Sequence, residues 1–446
     1  MKRIMISAMQ SGGGKTTLTC ALLALLKKRG MAAEAFKCGP DYIDPMFHSR
    51  VLGVPSRNVD LFLQGETGAL KTLGSARGEI AVIEGAMGLY DGVGGTDTAS
   101  AYALAALTKT PVILAVMPHG SSLTLAAQIK GVAEFRHSSH VSGIVLTNCR
   151  TMLYEHLKPI IENETGLKVF GYLPPMPELE IPSRHLGLLT AGEIEDLTAR
   201  FDAAADMLSD CVDVEGLLTL ASAAGLESVS ETKPAEVRAK IALARDEAFC
   251  FYYEDSLDAL RAAGAELVEF SPLRDKRLPD CDGLYLGGGY PELYAKQLSE
   301  NESMRQSIAA AVRAKLPTVA ECGGFLYLGA MLEACDGAAY PMAGVLPGVG
   351  LKTDRLQNFG YTELKAERDG LLFRAGERVH THEFHYWKST ENGADLTAVK
   401  PVSGRERHCG YADESLYAAF PHLHFGGEAP LAARFVAAAE SWSNGS

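Results

Sequence analysis

Two clusters of residues in this chain have types and spacing that chemistry needs. The first is Ser11-Gly12-Gly13-Gly14-Lys15-Thr16-Thr17, between an apolar run read as a strand, Arg3–Ser7, and a helical pattern that starts near Gly14. Glycines let successive backbone N–H groups curl around an anion, and a helix N-terminus adds partial positive charge. In that reading Gly12, Gly13, Gly14 and Thr17 cradle phosphates, Lys15 reaches the outer ones, and the Thr16 hydroxyl ligates Mg²⁺. The full phosphate-loop pattern has Gly where this chain has Met9, so the loop is a deviant form. A flexible Gly-rich turn would share the composition; the strand–loop–helix context favours the nucleotide reading.

The second cluster is Thr318-Val319-Ala320-Glu321-Cys322-Gly323-Gly324, an apolar strand that ends in Cys and passes through two glycines into a helical run. A nucleophile on such a strained turn needs small neighbours. The helix N-terminus favours thiolate, and the N–H of Gly323 can help bind an oxyanion. A lone Cys there would more simply be a core residue. Two other segments shift the balance. Gly287-Gly288-Gly289-Tyr290-Pro291-Glu292 follows a strand, Gly283–Leu286, and offers a second oxyanion donor at Gly289. Ala419-Phe420-Pro421-His422-Leu423-His424 supplies a general base for the thiol, with His422 first and His424 second in order. His380, His382, His385 and His408 also crowd the tail, which keeps structural roles and a metal cluster in view.

A magnesium site needs carboxylates near the loop. Gly39-Pro40-Asp41-Tyr42-Ile43-Asp44-Pro45 follows the strand Ala33–Lys37, and Glu84 through Gly92 follows Ala81–Glu84. Ligands of a doubly wound sheet bind at strand carboxyl ends, so Asp41, Asp44, Glu84 and Asp91 could all face the nucleotide. Each Asp could equally cap a turn. Glu84 is harder to dismiss, because a carboxylate ending an apolar strand is costly without a cation. Asn148, at the end of a strand read as Gly143–Asn148, could hydrogen-bond an adenine edge or simply end a turn.

These residues need elements to hold them. The first half alternates short apolar runs with helical patterns, as a parallel α/β sheet requires. A second α/β series starts at Ile241, and the tail beyond Leu351 reads as partly β. Between them Gly225–Val237 is polar and lacks apolar periodicity. That predicts a first domain over 1–225, a linker over 226–238 and a second domain over 239–446. At roughly 100–200 residues per domain the length fits. With 42 Lys+Arg against 55 Asp+Glu the chain carries −13, which argues against nucleic acid or anionic lipid as partners. No apolar run approaches the ~18 residues that span a membrane. The nine Cys include no CxxC pair, as expected in a reducing cytoplasm.

Taken together the motifs resemble one family, cobyrinate a,c-diamide synthase, and the resemblance covers nearly the whole chain. It rests on the Ser11–Thr17 loop, Phe36–Pro45, Glu84–Gly92, Arg184–Leu188, Leu286–Glu292, Ala320–Gly329, His382–Tyr386 and His422–Phe425. The resemblance implies an α/β protein: an N-terminal dethiobiotin-synthetase-like P-loop domain with a doubly wound parallel sheet, then a class I (triad-type) glutamine amidotransferase domain. It implies that glutamine, opened by Cys322 and His422, supplies ammonia. MgATP, bound with Thr16, Asp41 and Glu84 at the metal, turns a carboxylate of a tetrapyrrole into an acyl phosphate that the ammonia captures. Asp41, Tyr42, Asp44 and Asp91 then handle substrate, with Lys37, Arg57 and Arg184 as candidates for its carboxylates. The a- and c-acetates of cobyrinate are the expected targets; nickel-sirohydrochlorin and hydrogenobyrinate remain alternatives, and a P-loop ATPase switch or metal chaperone is the alternative of another class. An enclosed ammonia path is expected, and a homodimer stays open. One departure stands out: triad glutaminases usually carry Glu two residues after the catalytic His, where this chain has His424.

Overall fold

A computed structural model describes residues 1–176, 179, 191–221 and 235–445. Arg184 and its motif, and most of the expected linker, lie outside the described residues. Backbone contacts divide the chain into two compact units, Met1–Glu231 and Thr232–Ser446.

In the first unit seven strands run β1 (Lys2–Ala8), β2 (Ala33–Cys38), β3 (Ser56–Val59), β4 (Ile80–Glu84), β5 (Val112–Val116), β6 (Val141–Leu146) and β7 (Val169–Tyr172). They lie in the order β3-β2-β4-β1-β5-β6-β7, and every pair is parallel. Helices cover both faces, which is why strands such as IAVIE and VILAV are apolar throughout and not alternating. Helix α1 (Lys15–Lys28) is buried along most of its length. One side lies on the sheet and another meets Phe201, Ala204, Ala205 and Leu208 of the helix Ala191–Cys211, in a single core.

Two elements of this unit were not legible. β3 reads SRNV, too short and polar for a strand pattern, and sits at the sheet edge. The helix Leu61–Gly74 is broken by Gly65 at φ 66°, which disrupts the 3.6-residue period. β6 also stops at Leu146, two residues before the expected Asn148. The Thr147 side chain turns to donate to Gly13 O at 2.8 Å, and Asn148 takes φ 48°.

The second unit holds a six-stranded sheet built from β8 (Ala239–Ala244), β9 (Ala265–Phe270), β10 (Gly283–Leu286), β11 (Thr318–Glu321), β18 (Tyr411–Ala412) and β19 (Leu416–Ala419). The order is β18-β19-β11-β10-β8-β9, parallel except at the β18 edge. The intervening strands β12 (Met331–Glu333), β13 (Ala339–Pro341), β14 (Val349–Ala366), β15 (Arg378–Ser389), β16 (Leu396–Val399) and β17 (Glu406–Cys409) form a separate, mostly antiparallel sheet. Helix α2 (Gly323–Leu328) follows β11 and is shorter than the expected Gly323–Met331. Gly329 is extended, and Met331 already belongs to a strand. Among the described residues no helix is long and apolar enough to cross a membrane.

Candidate active sites

The parallel register delivers the first cluster to one sheet edge. β1 ends at the Gly-rich loop, β4 ends at Glu84, and on β2 Lys37 pairs in register with Glu84. Gly14 caps α1 at φ 83°, and a Cβ there would meet Thr147 at 2.8 Å, so only glycine fits both the turn and the contact. Gly12 is exposed, Gly13 is buried, and Thr17 is half-buried in the first turn of α1. Lys15 is buried and donates to Met87 O at 2.5 Å and Gln10 O at 3.3 Å, holding the ammonium over the loop. Burial pushes Lys15 below its ordinary value, and the nearby Lys37 charge adds to this.

Glu84 is wholly buried and has cations, as its position at the end of an apolar strand requires. Oε1 accepts from Thr16 Oγ1 at 2.6 Å and Lys37 Nζ at 3.0 Å, and Oε2 lies 3.3 Å from His48 Nε2. Burial alone would raise this carboxyl; the Lys37 ammonium, with His48 and Thr16, holds it well below the carboxylate range. Lys37 also meets Asp44 at 2.5 Å. With two carboxylates sharing that ammonium, Asp44 is the one pushed up, by burial first and by the Glu84 charge next. Lys37 is lifted: burial opposes its charge, and Glu84 and Asp44 outweigh burial. It is therefore a strut between two carboxylates, not a cation facing open space for substrate. Arg57 likewise lies 3.6 Å from Glu34.

Asp41 Oδ1 accepts from Ile43 N at 2.7 Å, and Asp91 Oδ2 from Gly88 N at 2.8 Å, so both brace the loops that carry them. Tyr42 is half-buried at the start of the short helix Ile43–Met46. Asn148 is exposed beyond β6, with Met117 Sδ at 3.9 Å from Nδ2. Mg²⁺ takes an octahedral shell of oxygens, usually one or two carboxylates with phosphates and water. The abutting Thr16 hydroxyl and Glu84 carboxylate fit that requirement. Among the described residues no group of three or more His, Cys, Asp or Glu is placed to hold a metal by itself.

In the second unit three adjacent parallel strands, β10, β11 and β19, end at one edge. They deliver the Gly287–Gly289 loop, Cys322 and, three residues past β19, His422. Cys322 sits at φ 48°, ψ −98°, a costly conformation for a residue with a Cβ. Its N–H donates to Ala419 O at 2.8 Å, and the next turn is pinned by Gly324 N to Gly287 O at 3.0 Å. Gly323 is the first residue of α2, where an N–H has no intrahelical acceptor. The position of a Cβ on Gly323 lies 3.2 Å from Gly289 N, so the two candidate oxyanion donors are neighbours. A Cβ on Gly288 would stand 2.5 Å from His422 Cε1, which makes glycine obligatory where the imidazole packs.

His422 is buried, with the Cys322 side chain beside it. Burial alone would lower it; the Cys322 side chain and the Glu321 carboxylate raise it to about 10. His424, the second candidate, is placed elsewhere. Its Nδ1 accepts from Gly426 N at 3.2 Å and its ring lies against Tyr253, 5.0 Å between centroids. Burial holds it down at about 3, so it is neutral. Of the tail histidines, His385 stacks on Phe420 at 3.8 Å and its Nε2 lies 3.3 Å from Glu383 Oε2, a structural cluster. The structure adds two residues to which the sequence reading assigned no role. His48 had no motif around it. Glu321 stands in the quoted motif, but nothing local connects it to a histidine a hundred residues on.

Comparison with known proteins places both halves. Residues 4–189 match the CobQ/CobB/MinD/ParA nucleotide binding domain, and residues 240–430 match the CobB/CobQ-like glutamine amidotransferase domain. Three relatives named cobyrinate a,c-diamide synthase are similar along nearly their whole length. That of Listeria innocua is 40% identical, covering 95% of this chain and 96% of its own. Those of Caldanaerobacter subterraneus and Clostridium acetobutylicum are each 39% identical, covering 94% and 96% of this chain and 94% and 98% of theirs.

Proposed function

As the chain belongs to the cobyrinate a,c-diamide synthase family, a family of glutamine-dependent amidating ligases, we propose that it converts the a- and c-acetate carboxylates of cobyrinate to amides. ATP drives each step and glutamine supplies the nitrogen. The observation that carries this reading is the coexistence of two sites on one chain. One is a phosphate loop with Lys15 and the Thr16–Glu84 pair; the other is a strained thiol, Cys322, beside His422. A P-loop switch or metal chaperone has no use for the second.

In the glutaminase half Cys322 Sγ, its proton passed to His422, attacks the amide carbon of glutamine. The N–H groups of Gly289 and Gly323 receive the oxyanion. His422, carrying a proton, gives it to the departing nitrogen; the C–N bond breaks and ammonia leaves. Water, deprotonated by His422, then cleaves the thioester and releases glutamate.

In the synthetase half a substrate carboxylate oxygen attacks the γ-phosphorus of ATP and ADP departs. Lys15 offsets charge on the transferring group. A magnesium ion would be held by Thr16 and Glu84, with Asp41 the further candidate, and would supply charge neutralisation on the phosphates. Lys37 and His48 keep Glu84 ionised and oriented for that contact. Ammonia attacks the acyl phosphate carbonyl, and phosphate leaves. Without activation the carboxylate oxygen is too poor a leaving group for the amide to form. Asp41, Tyr42, Asp44 and Asp91 line the same edge and are the residues assigned to substrate.

Substrate choice is checked by comparing kcat/KM for cobyrinate, hydrogenobyrinate and nickel-sirohydrochlorin under MgATP and glutamine. We expect cobyrinate to lead by about tenfold or more, the discrimination that a few unmatched polar contacts produce. Faster turnover of either other macrocycle would reassign the substrate and leave the reaction intact.

A further inference from the structure

We propose that Glu321, the residue immediately before the nucleophile, is the carboxylate that positions His422 and stabilises its protonated form. This takes over the part that His424, two residues beyond the histidine, does not perform. The proposal rests on the glutaminase reading above.

Glu321 is the last residue of β11 and is 1% exposed. A carboxylate so placed is costly unless each oxygen is partnered. Oε1 accepts from Leu423 N at 2.9 Å, and Oε2 accepts from Tyr285 Oη at 3.0 Å. Oε2 also lies 3.8 Å from His422 Nδ1. One carboxylate thus grips the histidine loop by its backbone and faces the ring of the same loop. The 3.8 Å separation exceeds a hydrogen bond, so the pairing in this geometry is electrostatic. At this range in a dry site, opposite charges interact far more strongly than in water.

The surroundings leave Glu321 as the anion available to the ring. Glu321, at the end of β11, and Cys322, directly after it, face His422. From β15 comes His382, whose N–H and carbonyl bridge to His422 and whose ring burial and the His422 charge keep neutral, at about 3. From β10 comes Tyr285, bonded to Glu321. Tyr252 and Tyr417 are raised by burial first, and the Glu321 charge adds to this. His424 carries no charge to offer. During turnover the proton on His422 leaves with the amide nitrogen and is regained from water. A fixed anion at Nδ1 steadies the imidazolium at both points and holds the ring on the sulfur.

The test is Glu321→Gln in the full chain, read as glutamate release against pH, with ammonia-dependent amidation measured alongside. Glutamine keeps the acceptor oxygen and removes the charge. We expect kcat to fall about 100-fold or more with KM little changed, as when the carboxylate of a triad is neutralised. We also expect the alkaline limb of the profile to move about one unit or more toward neutral, because an imidazolium without its counter-charge loses its proton earlier. Glu321→Asp, which keeps the charge, should restore the limb even where kcat stays low. A fall in kcat with an unmoved limb would assign Glu321 to packing alone and overturn the proposal, as would a limb that moves equally in the Asp variant. Unchanged activity in Glu321→Gln would overturn it while the glutaminase reading stands. Glutaminase activity surviving in Cys322→Ala would instead bring down that reading and this inference with it.

Discussion

We expect Cys322→Ala to end glutamine-dependent amidation and to leave amidation driven by ammonium salts in place. The fall in glutamate release should be about 10⁴-fold or more, since a nucleophile cannot be replaced by the remaining oxyanion donors. The reason for the asymmetry lies in the division of the molecule. Cys322, His422, Gly289 and Gly323 all come from the edge of one sheet, and no residue of the phosphate loop belongs to that unit. The substitution itself is small. Alanine keeps the Cβ and the same positive φ, so the elbow should hold its shape. Comparing the two nitrogen donors at saturating MgATP measures the effect. Loss of ammonia-driven activity in a folded variant would contradict the assignment of labour between the two sites.

Lys15→Ala produces the converse. Amidation should fall with either donor, by roughly 100-fold to 1,000-fold, the range seen when one preorganised group that stabilises developing charge is removed. Basal glutamate release should persist. The ammonium is fixed by two carbonyls, Met87 and Gln10, so it is preorganised and not recruited by ligand. Binding of a nucleotide analogue, followed by calorimetry, separates loss of affinity from loss of turnover. Equal loss of glutaminase and synthetase activity in this variant would mean that Lys15 supports the fold and not phosphoryl transfer.

Much of this was legible in residue patterns, and the reason is topological. In a parallel sheet each strand brings its carboxyl end to the same edge, so a Gly-rich loop, an acidic strand end and a Cys-Gly-Gly elbow announce where the candidate sites gather. β5, β7, β10 and β11 begin and end where apolar runs do. The failures have equally specific causes. β3 carries Arg and Asn and has no apolar signature. The helix Leu61–Gly74 is capped by Asp60, which accepts from Phe62 and Leu63 N–H, but Gly65 interrupts its period. Lys37 looked like a substrate cation because its register against Glu84 cannot be read from one strand alone. Glu321 was visible as a residue type and silent as a partner. Its contacts, Tyr285, His422 and Leu423, come from two other strands or the loops beyond them, and only the fold joins them.

The central claim is that one chain couples a thiol glutaminase to ATP-driven amidation of a macrocycle. It is tested most directly by incubating the protein with MgATP, cobyrinate and glutamine labelled with nitrogen-15 at the amide, and weighing the product by mass spectrometry. The account predicts a diamide carrying label in both new amides, reached through a labelled monoamide, with one ADP and one glutamate released per amide. Release of glutamate and ADP without any labelled amide on the macrocycle would contradict it.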